Sequence, residues 1–544
     1  MAREISVVTS VCAADLHLVP ELLGSIANAG SAFGDVVLLH SEDSGAAVEL
    51  ALATLMEPTL SIRTLAVGGS LPGADGLKSV LELATGPFIL ALPVCDVVAN
   101  DATDLLVDHW AYWGTSGVLY ADTDQVDLDG SRTHGAWRQA WDLDLELQSG
   151  LIGDSPILQR DFALDVLAGA PNSLSWPGLA LAMVLQGASV RHLPRELTHH
   201  RPVRAWRWGH HRPDEGARMA EAQVLCGDAG WQVEIERHPT LEGLSRVRYP
   251  CPVRTSVSVV VPTRGGVHDE HSDTPLILRL IESIDRTTMR EVGLALEYIV
   301  VCDEGFPAYV RDAVYELTER RVRMVDHRAG ADGFNFSAAV NAGVMEATGD
   351  FLIIINDDVE LIAPGWVPEL VGLAGRADVG AVGVKLLFAD ASIQHLGMTV
   401  QPAQGGLPYH HNYRGRRDTT GYGGRLACTR AVWAVTGAFM AIERRKFLEV
   451  GGMCTALPLN YNDVDLCLKL RALGYATLIT PFVEAVHLES ASRNPGVQPW
   501  ETVRFKARWG SEAGHDPFPS PRISWIDLDD RAPEGPVPAS PAGY

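Results

Sequence analysis

The sequence predicts an α/β fold built from two tandem, Rossmann-like domains, each on a mostly parallel sheet. Three observations carry this prediction. Apolar runs of strand length alternate with segments of helical periodicity, the pattern of βαβ units whose sheet is covered on both faces. The alternation begins twice, near residue 6 and again near residue 257. The 544 residues also exceed what one hydrophobic core ordinarily organises.

In the first half, Ser6 to Val11 reads as a buried strand, and Leu18, Leu22, Leu23 and Ile26 follow at helical spacing. A second strand, Val36 to Leu39, ends in the polar cluster Ser41, Glu42, Asp43. The second half repeats the plan. Strand Val257 to Val261 leads to a helix carrying Ile277, Leu280, Ile281 and Ile284, then to strand Tyr298 to Cys302, closed by Asp303-Glu304-Gly305. Thr85-Gly86-Pro87-Phe88-Ile89-Leu90 and Thr348-Gly349-Asp350-Phe351-Leu352-Ile353 both lead from a helix into a strand. Residues 1–201 and 254–512 are therefore expected to be two copies of one domain, joined by a connector over 202–253. Within the connector, Ala217 to Cys226 suits a short helix and Trp231 to Arg237 a strand. Arg248-Tyr249-Pro250-Cys251-Pro252 is stiff, because proline removes backbone donors. A proline-rich tail over 513–544 is expected on the surface and disordered at its end.

Composition narrows the function classes. A chain 47% apolar and 21% charged is a folded globular protein. Its 44 basic and 68 acidic side chains give 44 − 68 = −24, the wrong sign for a nucleic-acid footprint. An anionic substrate must then be met locally, by a metal ion or a helix N-terminus. The N-terminus has no signal-peptide pattern, and the longest apolar runs, such as Phe351 to Ile355, fall far short of the roughly 20 residues that span a bilayer. Eight cysteines without metal-like spacing are expected to be reduced thiols in a cytoplasmic protein.

The chemistry-bearing residues are carboxylates that follow strands. Ile353-Ile354-Ile355-Asn356-Asp357-Asp358 is a very apolar strand ending in two adjacent acids. Ligands of open α/β sheets sit at strand carboxyl ends, and paired carboxylates there suit Mg²⁺ or Mn²⁺. The competing reading has these acids capping a helix near Pro364. Asn462-Asp463-Val464-Asp465 opens a helix with the apolar stripe Leu466, Cys467, Leu470, Leu473 and the stop signal Gly474. Asp463 is either a helix cap or a general base, with Asp465 in reserve. Asp303 is either a turn residue or an acceptor for a nucleobase. His487 is either structural or a neutral metal ligand. Asn335-Phe336-Ser337 opens a helix whose first turn offers donors to phosphate, and Asn335 and Ser337 are also ordinary caps.

Taken in order, these pieces resemble family 2 glycosyltransferases of the GT-A fold. The resemblance runs through Pro262-Thr263-Arg264, Cys302-Asp303-Glu304-Gly305, Phe334 to Gly343 and Ile355 to Ile362. It continues through Gln394-His395-Leu396-Gly397, Ala434 to Ala438, Arg444 to Gly452, Tyr461 to Lys469 and His487 to Arg493. It covers about 255–512. It implies that Pro262, Thr263, Arg264, Asp303, Asn335, Asn341 and Asp357 bind the nucleotide sugar, and that Asp358 and His487 hold a divalent metal, Mg²⁺ or Mn²⁺. It makes Asp463 the catalytic base and puts Thr436, Gly437 and Asn462 around the sugar and acceptor. The acidic motif reads Asn356-Asp357-Asp358, with an amide for its first acid, and Asn462 stands where a Glu is commoner. The Gln-x-x-Arg-Trp motif of processive synthases is unmet, because Phe505 precedes Arg508-Trp509.

The first half resembles the same fold in Tyr120 to Gly130 and Leu193 to Arg201, and its chemistry reads as lost. Without gaps, Asp357-Asp358 falls on Val94-Cys95, leaving Asp96 beside it, and Ser175-Trp176-Pro177-Gly178-Leu179 replaces the acid-bearing helix start. The two-domain order is similar to bacterial enzymes of surface-polysaccharide and O-antigen assembly. The resemblance thus implies a metal-assisted, inverting, non-processive transferase of hexosyl or rhamnosyl type. Its donor would be a UDP-, dTDP- or GDP-sugar and its acceptor a glycan or lipid-linked glycan, with peripheral association at the inner face of the plasma membrane. Trp366, Trp433 and Tyr461 are candidates to stack on sugar rings. The competing functions are a sugar nucleotidyltransferase and a noncatalytic glycan-binding scaffold.

Overall fold

Two mixed sheets with the same strand order form the frame of the computed structural model. It describes residues 4–53, 60–67, 74–127, 130–171, 174–201, 215–252, 254–267, 273–288, 293–319, 321–328, 333–401, 407–488 and 497–518. One compact unit lies within Met1–Ser245 and the other within Arg246–Pro519.

Unit 1 contains β1 (Ile5–Val11), β2 (Phe33–Ser41), β3 (Ser61–Val67), β4 (Phe88–Ala91), β5 (Asp96–Val98), β6 (Val118–Val126), β7 (Arg132–Ala136), β8 (Ile157–Gln159) and β9 (Val190–His200). Two short strands, β10 (Glu234–Arg237) and β11 (Ser245–Arg248), follow. Unit 2 contains β12 (Thr255–Thr263), β13 (Leu294–Cys302), β14 (Val322–Asp326), β15 (Phe351–Ile355), β16 (Val359–Leu361) and β17 (Val379–Leu387). It goes on through β18 (Ile393–His395), β19 (Met398–Gln401), β20 (Leu407–His410), β21 (Arg430–Ala431), β22 (Phe439–Glu443) and β23 (Ala476–His487).

The sheet of unit 1 runs β3-β2-β1-β4-β8-β6-β9-β5, and that of unit 2 runs β14-β13-β12-β15-β22-β17-β23-β16. In both, the first four strands are parallel, as βαβ connections require. In both, the fifth strand is antiparallel to the fourth, and the two longer strands beyond it pair in parallel. The expected internal duplication is thus visible strand by strand. β15 is buried along its whole length, as a strand covered on both faces must be.

A small polar clamp repeats as well. In unit 1, Ser6 Oγ donates to Asp35 and accepts from Gly86 N at 2.8 Å, while Thr85 N donates to Asp35 at 3.3 Å. In unit 2, Ser258 Oγ donates to Glu297 at 2.5 Å and accepts from Gly349 N at 2.8 Å, while Thr348 N donates to Glu297 at 2.7 Å. A Cβ on Gly86 or Gly349 would meet backbone at 2.7 and 2.6 Å, so the matched Thr-Gly pairs mark a close approach of chain to strand.

The helix expected at 217–226 forms as Glu215–Asp228, and the strand at 231–237 shortens to β10. Residues 202–214 and 253 of the connector, 489–493 of the His487 motif and 519–544 of the tail lie outside the described residues. The segment from 513 does not begin on the surface: Ala513 belongs to the core of unit 2, and Phe518 packs against that unit's apolar interior.

Candidate active site

The acids of unit 2 gather at the carboxyl ends of its central strands. Thr263, the last residue of β12, is the first link. Its backbone carbonyl accepts from Asp303 N at 3.0 Å, and its hydroxyl donates to Asp357 while accepting from Gly265 N at 2.9 Å. Asp303 in turn accepts from Arg264 Nε at 3.1 Å and from Glu304 N at 2.9 Å. Thr263, Arg264, Asp303 and Asp357 are therefore one hydrogen-bonded group, and the buried Pro262 supports it from within the strand.

Asp358 leads into β16 rather than into a helix, which excludes the capping reading; the next helix, Trp366–Ala374, starts after Gly365. β16 pairs with the end of β23, bringing His487 Nε2 to 3.1 Å from Asp358 Oδ1. Gln394 Oε1 lies 2.6 Å from His487 Nδ1, so Nδ1 carries a hydrogen and donates to it. His487 Nε2 then faces a carboxylate oxygen, with the Asn356 amide nitrogen 3.4 Å away, and either a ring proton or a metal cation would join Nε2 to that oxygen. Neighbouring ligands of an octahedral cation with bonds of roughly 2.1 Å are about 3.0 Å apart, so the pair fits a divalent ion. Burial, and after it the adjacent Asp358, push the Asp357 carboxyl up to about 7.

Asp463 reaches the same region from another element. Helix Asn462–Ala472 is preceded by Tyr461 in the left-handed region (φ 63°), where a non-glycine residue costs about 1–2 kcal/mol. Tyr461 is held there by stacking on Phe505 at 4.9 Å and a hydroxyl contact to Thr502 at 3.1 Å. Asp463 accepts from Gly437 N at 3.0 Å and from Val464 N at 2.8 Å, so its role is wider than a cap. Gly437 precedes Ala438, whose carbonyl accepts from Asn356 N at 2.9 Å. One peptide step thus separates the partner of Asp463 from the partner of the acidic motif. Asn462 is buried and accepts from Asp463 N at 2.8 Å.

Residues 258–447 match the family model for Glycosyl transferase family 2. Unit 2 carries a family 2 glycosyltransferase domain. The chain is 29% identical over 540 residues to the uncharacterized protein y4gI of Sinorhizobium fredii, covering 96% of this chain and 57% of that one. It is 27% identical over 541 residues to the O-antigen biosynthesis protein RfbC of Myxococcus xanthus, covering 96% and 40%. The chain therefore spans about half the length of the curated relatives it matches. Among solved structures, GalNAc-T7 with UDP, GalNAc and Mn²⁺ is similar with TM-score 0.37 and 17% identity, over 48% of this chain and 50% of that chain. The mannosyltransferase PcManGT of Pyrobaculum calidifontis, in complex with GDP-Man and Mn²⁺, is similar with TM-score 0.30 and 20% identity, over 50% and 62%.

Several expected residues serve the glycosyltransferase domain differently. Asn335 caps its helix through Ala338 N at 2.9 Å and donates to Thr455 O at 2.8 Å, while Phe336 N donates to Pro458 O at 2.8 Å. The first turn is docked on the 453–458 loop instead of offering those donors to phosphate. Asn341 exchanges two 2.8 Å hydrogen bonds with the Met453 backbone, so its amide braces the same loop. Asp465 is fully buried, bound by Trp509 Nε1 at 3.0 Å and Arg508 Nε at 2.7 Å; the reserve base is a structural anchor. Trp366, Trp433 and Tyr461 are buried and present no face to a sugar. Leu473, assigned to the apolar stripe, is 52% exposed.

Sequence reading missed the histidine pair beside Asp463. Thr436 N donates to His395 Nε2 at 3.3 Å, which puts the ring hydrogen on Nδ1, 2.9 Å from His410 Nδ1. His410 then keeps its hydrogen on Nε2. Burial pushes the His410 imidazole down to about 4, opposed by the charge of Asp463, and holds His395 well below its usual value. Gln394-His395 was the available signal; His410, on β20, carried none.

Proposed function

We propose that unit 2 moves a sugar from a nucleotide-sugar donor to a hydroxyl of a glycan or lipid-linked glycan, by a single displacement that inverts the anomeric carbon. The observation that carries this reading is the hydrogen-bonded chain joining Asp303, Asp357, the Asn356–Asp358 turn and Asp463 at one end of the sheet.

The acceptor oxygen bonds to the anomeric carbon as the bond to the diphosphate breaks, and the acceptor proton passes to Asp463. Gly437 N and Val464 N orient that carboxylate. Such a base contributes about 10²–10⁴ in rate. Asp358 and His487 would hold a divalent cation, which would supply charge neutralisation for the leaving diphosphate. Gln394 fixes the His487 tautomer, and Thr263 holds Asp357. Thr436, Gly437 and Asn462 border the acceptor side, with Arg264 and Asp303 on the nucleotide side. Transfer is of one or a few hexosyl or rhamnosyl units, because Phe505 packs on Tyr461 where a processive enzyme has its glutamine. The likeness to an O-antigen biosynthesis protein supports a surface-polysaccharide acceptor, met at the inner face of the plasma membrane. Among the described residues, no helix is long and apolar enough to cross a membrane.

The test is release of nucleoside diphosphate from UDP-, dTDP- and GDP-sugars, with and without Mn²⁺, by wild type and Asp463→Asn. Mn²⁺-dependent release lost in the variant supports the reading. Release of pyrophosphate instead would identify a nucleotidyltransferase, and silence across the donor panel a scaffold.

A further inference from the structure

Unit 1 keeps more chemistry than the loss of its acid-bearing helix suggests. In unit 1 the short strand β5 pairs with the end of β9, Asp96 opposite His200, just as β16 pairs with the end of β23. Asp96 hydrogen-bonds His200 Nδ1, so it stands in the role that Asp358 has toward His487. In the shared register Asp96 stands at the position of Val359 and Cys95 at that of Asp358, so unit 1 has a thiol where unit 2 has the carboxylate and takes its acid from the next residue. Cys95 Sγ lies 3.6 Å from Asp96 Oδ1, and one ligand atom each from Cys95, Asp96 and His200 lies within 4.8 Å of the others.

We propose that Cys95, Asp96 and His200 form a binding site for a thiophilic divalent cation of the Zn²⁺ class. One sulfur, one nitrogen and one oxygen from protein match a tetrahedral ion that keeps its fourth position for an outside ligand. Bonds of about 2.3 Å to sulfur and 2.0–2.2 Å to nitrogen and oxygen give ligand separations of roughly 3.3–3.8 Å, so closure needs shifts on the order of 1 Å. The frame is set to hold that geometry. Asp96 N donates to Pro93 O at 2.9 Å, closing the turn that carries Cys95, and Arg201 Nε donates to Cys95 O at 3.1 Å. Cys95 and Asp96 are 3% and 5% exposed, which favours a desolvated ion over a loose surface one.

The open position has somewhere to face. Asp96 and His200 line a cavity of about 140 Å³ together with Asp124, Arg138, Asp154 and Ser155. The cation would present a water, or an oxygen of a small polar ligand, to that cavity. Among the described residues, the side chains bonded to Asp358 and His487 bring nitrogen and oxygen and no sulfur, so the two units would sort metals by softness: a thiolate site in one and an oxygen- and nitrogen-based site in the other.

The experiment uses the full chain, stripped with EDTA and titrated with Co²⁺ as a spectroscopic stand-in for Zn²⁺. The proposal expects a thiolate-to-cobalt charge-transfer band in the near ultraviolet, displaced by Zn²⁺, and protection of Cys95 from alkylation by Zn²⁺. Cys95→Ser should lose the band and weaken Zn²⁺ binding by more than the roughly 10–100-fold that losing an outer-shell partner costs. His200→Ala should weaken the binding likewise. A wild-type titration without that band overturns the proposal whether or not the variants fold. So does a band that survives in folded Cys95→Ser. None of these readouts depends on sugar transfer, so a failure here leaves the reading of unit 2 standing.

Discussion

The two units repeat one strand order and part company at one helix. In unit 2 the helix beginning at Asn462 turns Asp463 toward Gly437, close to the strand that ends in the acidic motif. In unit 1 the corresponding helix, Trp176–Leu185, begins with Ser175, and its start is closed by a carboxylate from elsewhere. Glu221, on helix Glu215–Asp228, accepts from Ser175 N at 2.6 Å and Ser175 Oγ at 2.7 Å, and a Cβ on Gly178 would strike it at 2.3 Å. The clamps formed by Ser6, Asp35 and Thr85-Gly86, and by Ser258, Glu297 and Thr348-Gly349, are meanwhile intact in both. Sheet architecture and the acids at its strand ends are thus separable. The clamp residues hold strands together, and the acids at the strand ends can change without disturbing them.

That contrast can be broken most decisively at Asp463. Asp463→Asn should lower kcat for transfer about 10²–10⁴-fold with little change in donor KM, read by steady-state diphosphate release. An unchanged kcat would remove the functional difference between the units. Asp465→Asn should act on stability instead. Weakening the buried group it forms with Arg508 and Trp509 should cost on the order of 3 kcal/mol, seen as a lower Tm with kcat per folded molecule preserved. Gln394→Leu should weaken Mn²⁺ affinity about 10–100-fold through loss of His487 orientation, measured by activity against Mn²⁺ concentration. Metal affinity equal to wild type would show that this contact does not tune the site.

The smallest effect concerns acid. In unit 1, His192, His199 and His200 each bond a carboxylate, whereas in unit 2 His395 and His410 bond each other. Burial lowers the folded-state value of His410 to about 4, below the ordinary 6.5, so the unfolded chain binds the extra proton first. The stability it contributes is complete above about 6.5 and is lost as pH falls toward 4. Between pH 6.5 and 5.5 His410 alone should remove about 1 kcal/mol, and His410→Gln should flatten that part of the melting profile.

The duplication was legible because continuous apolar strands and repeated Thr-Gly junctions are local patterns. So was the group at the strand ends, since Asp303, Asp358 and Asp463 each follow or open a regular element. What escaped was pairing at a distance. Asn335 and Asn341 looked like ligand contacts because nothing nearby in the chain shows the 453–458 loop that takes their hydrogen bonds. The gapless comparison put Asp357-Asp358 on Val94-Cys95. The sheet register agrees with it, setting Asp96 opposite His200 as it sets Val359 opposite His487; what the comparison could not show is that Asp96, one position further on, bonds a histidine 104 positions away. Aromatic residues near motifs suggested sugar platforms, but their size made them core: Trp366 and Trp433 are essentially solvent-free.

The latch on Asp465 sets how short a working fragment can be. The family match ends at 447, and Arg508 and Trp509, more than sixty residues beyond that boundary, grip the helix of Asp463. A polypeptide trimmed at the match boundary would retain the acids after β13 and β15 and forfeit Asp463, the proposed base, altogether. One trimmed just before helix Pro499–Trp509 would keep Asp463 but strip Asp465 of Trp509 and Arg508, leaving it the Lys469 ammonium 3.6 Å away and loosening helix Asn462–Ala472. Any excised domain meant to transfer sugar therefore has to run past Trp509.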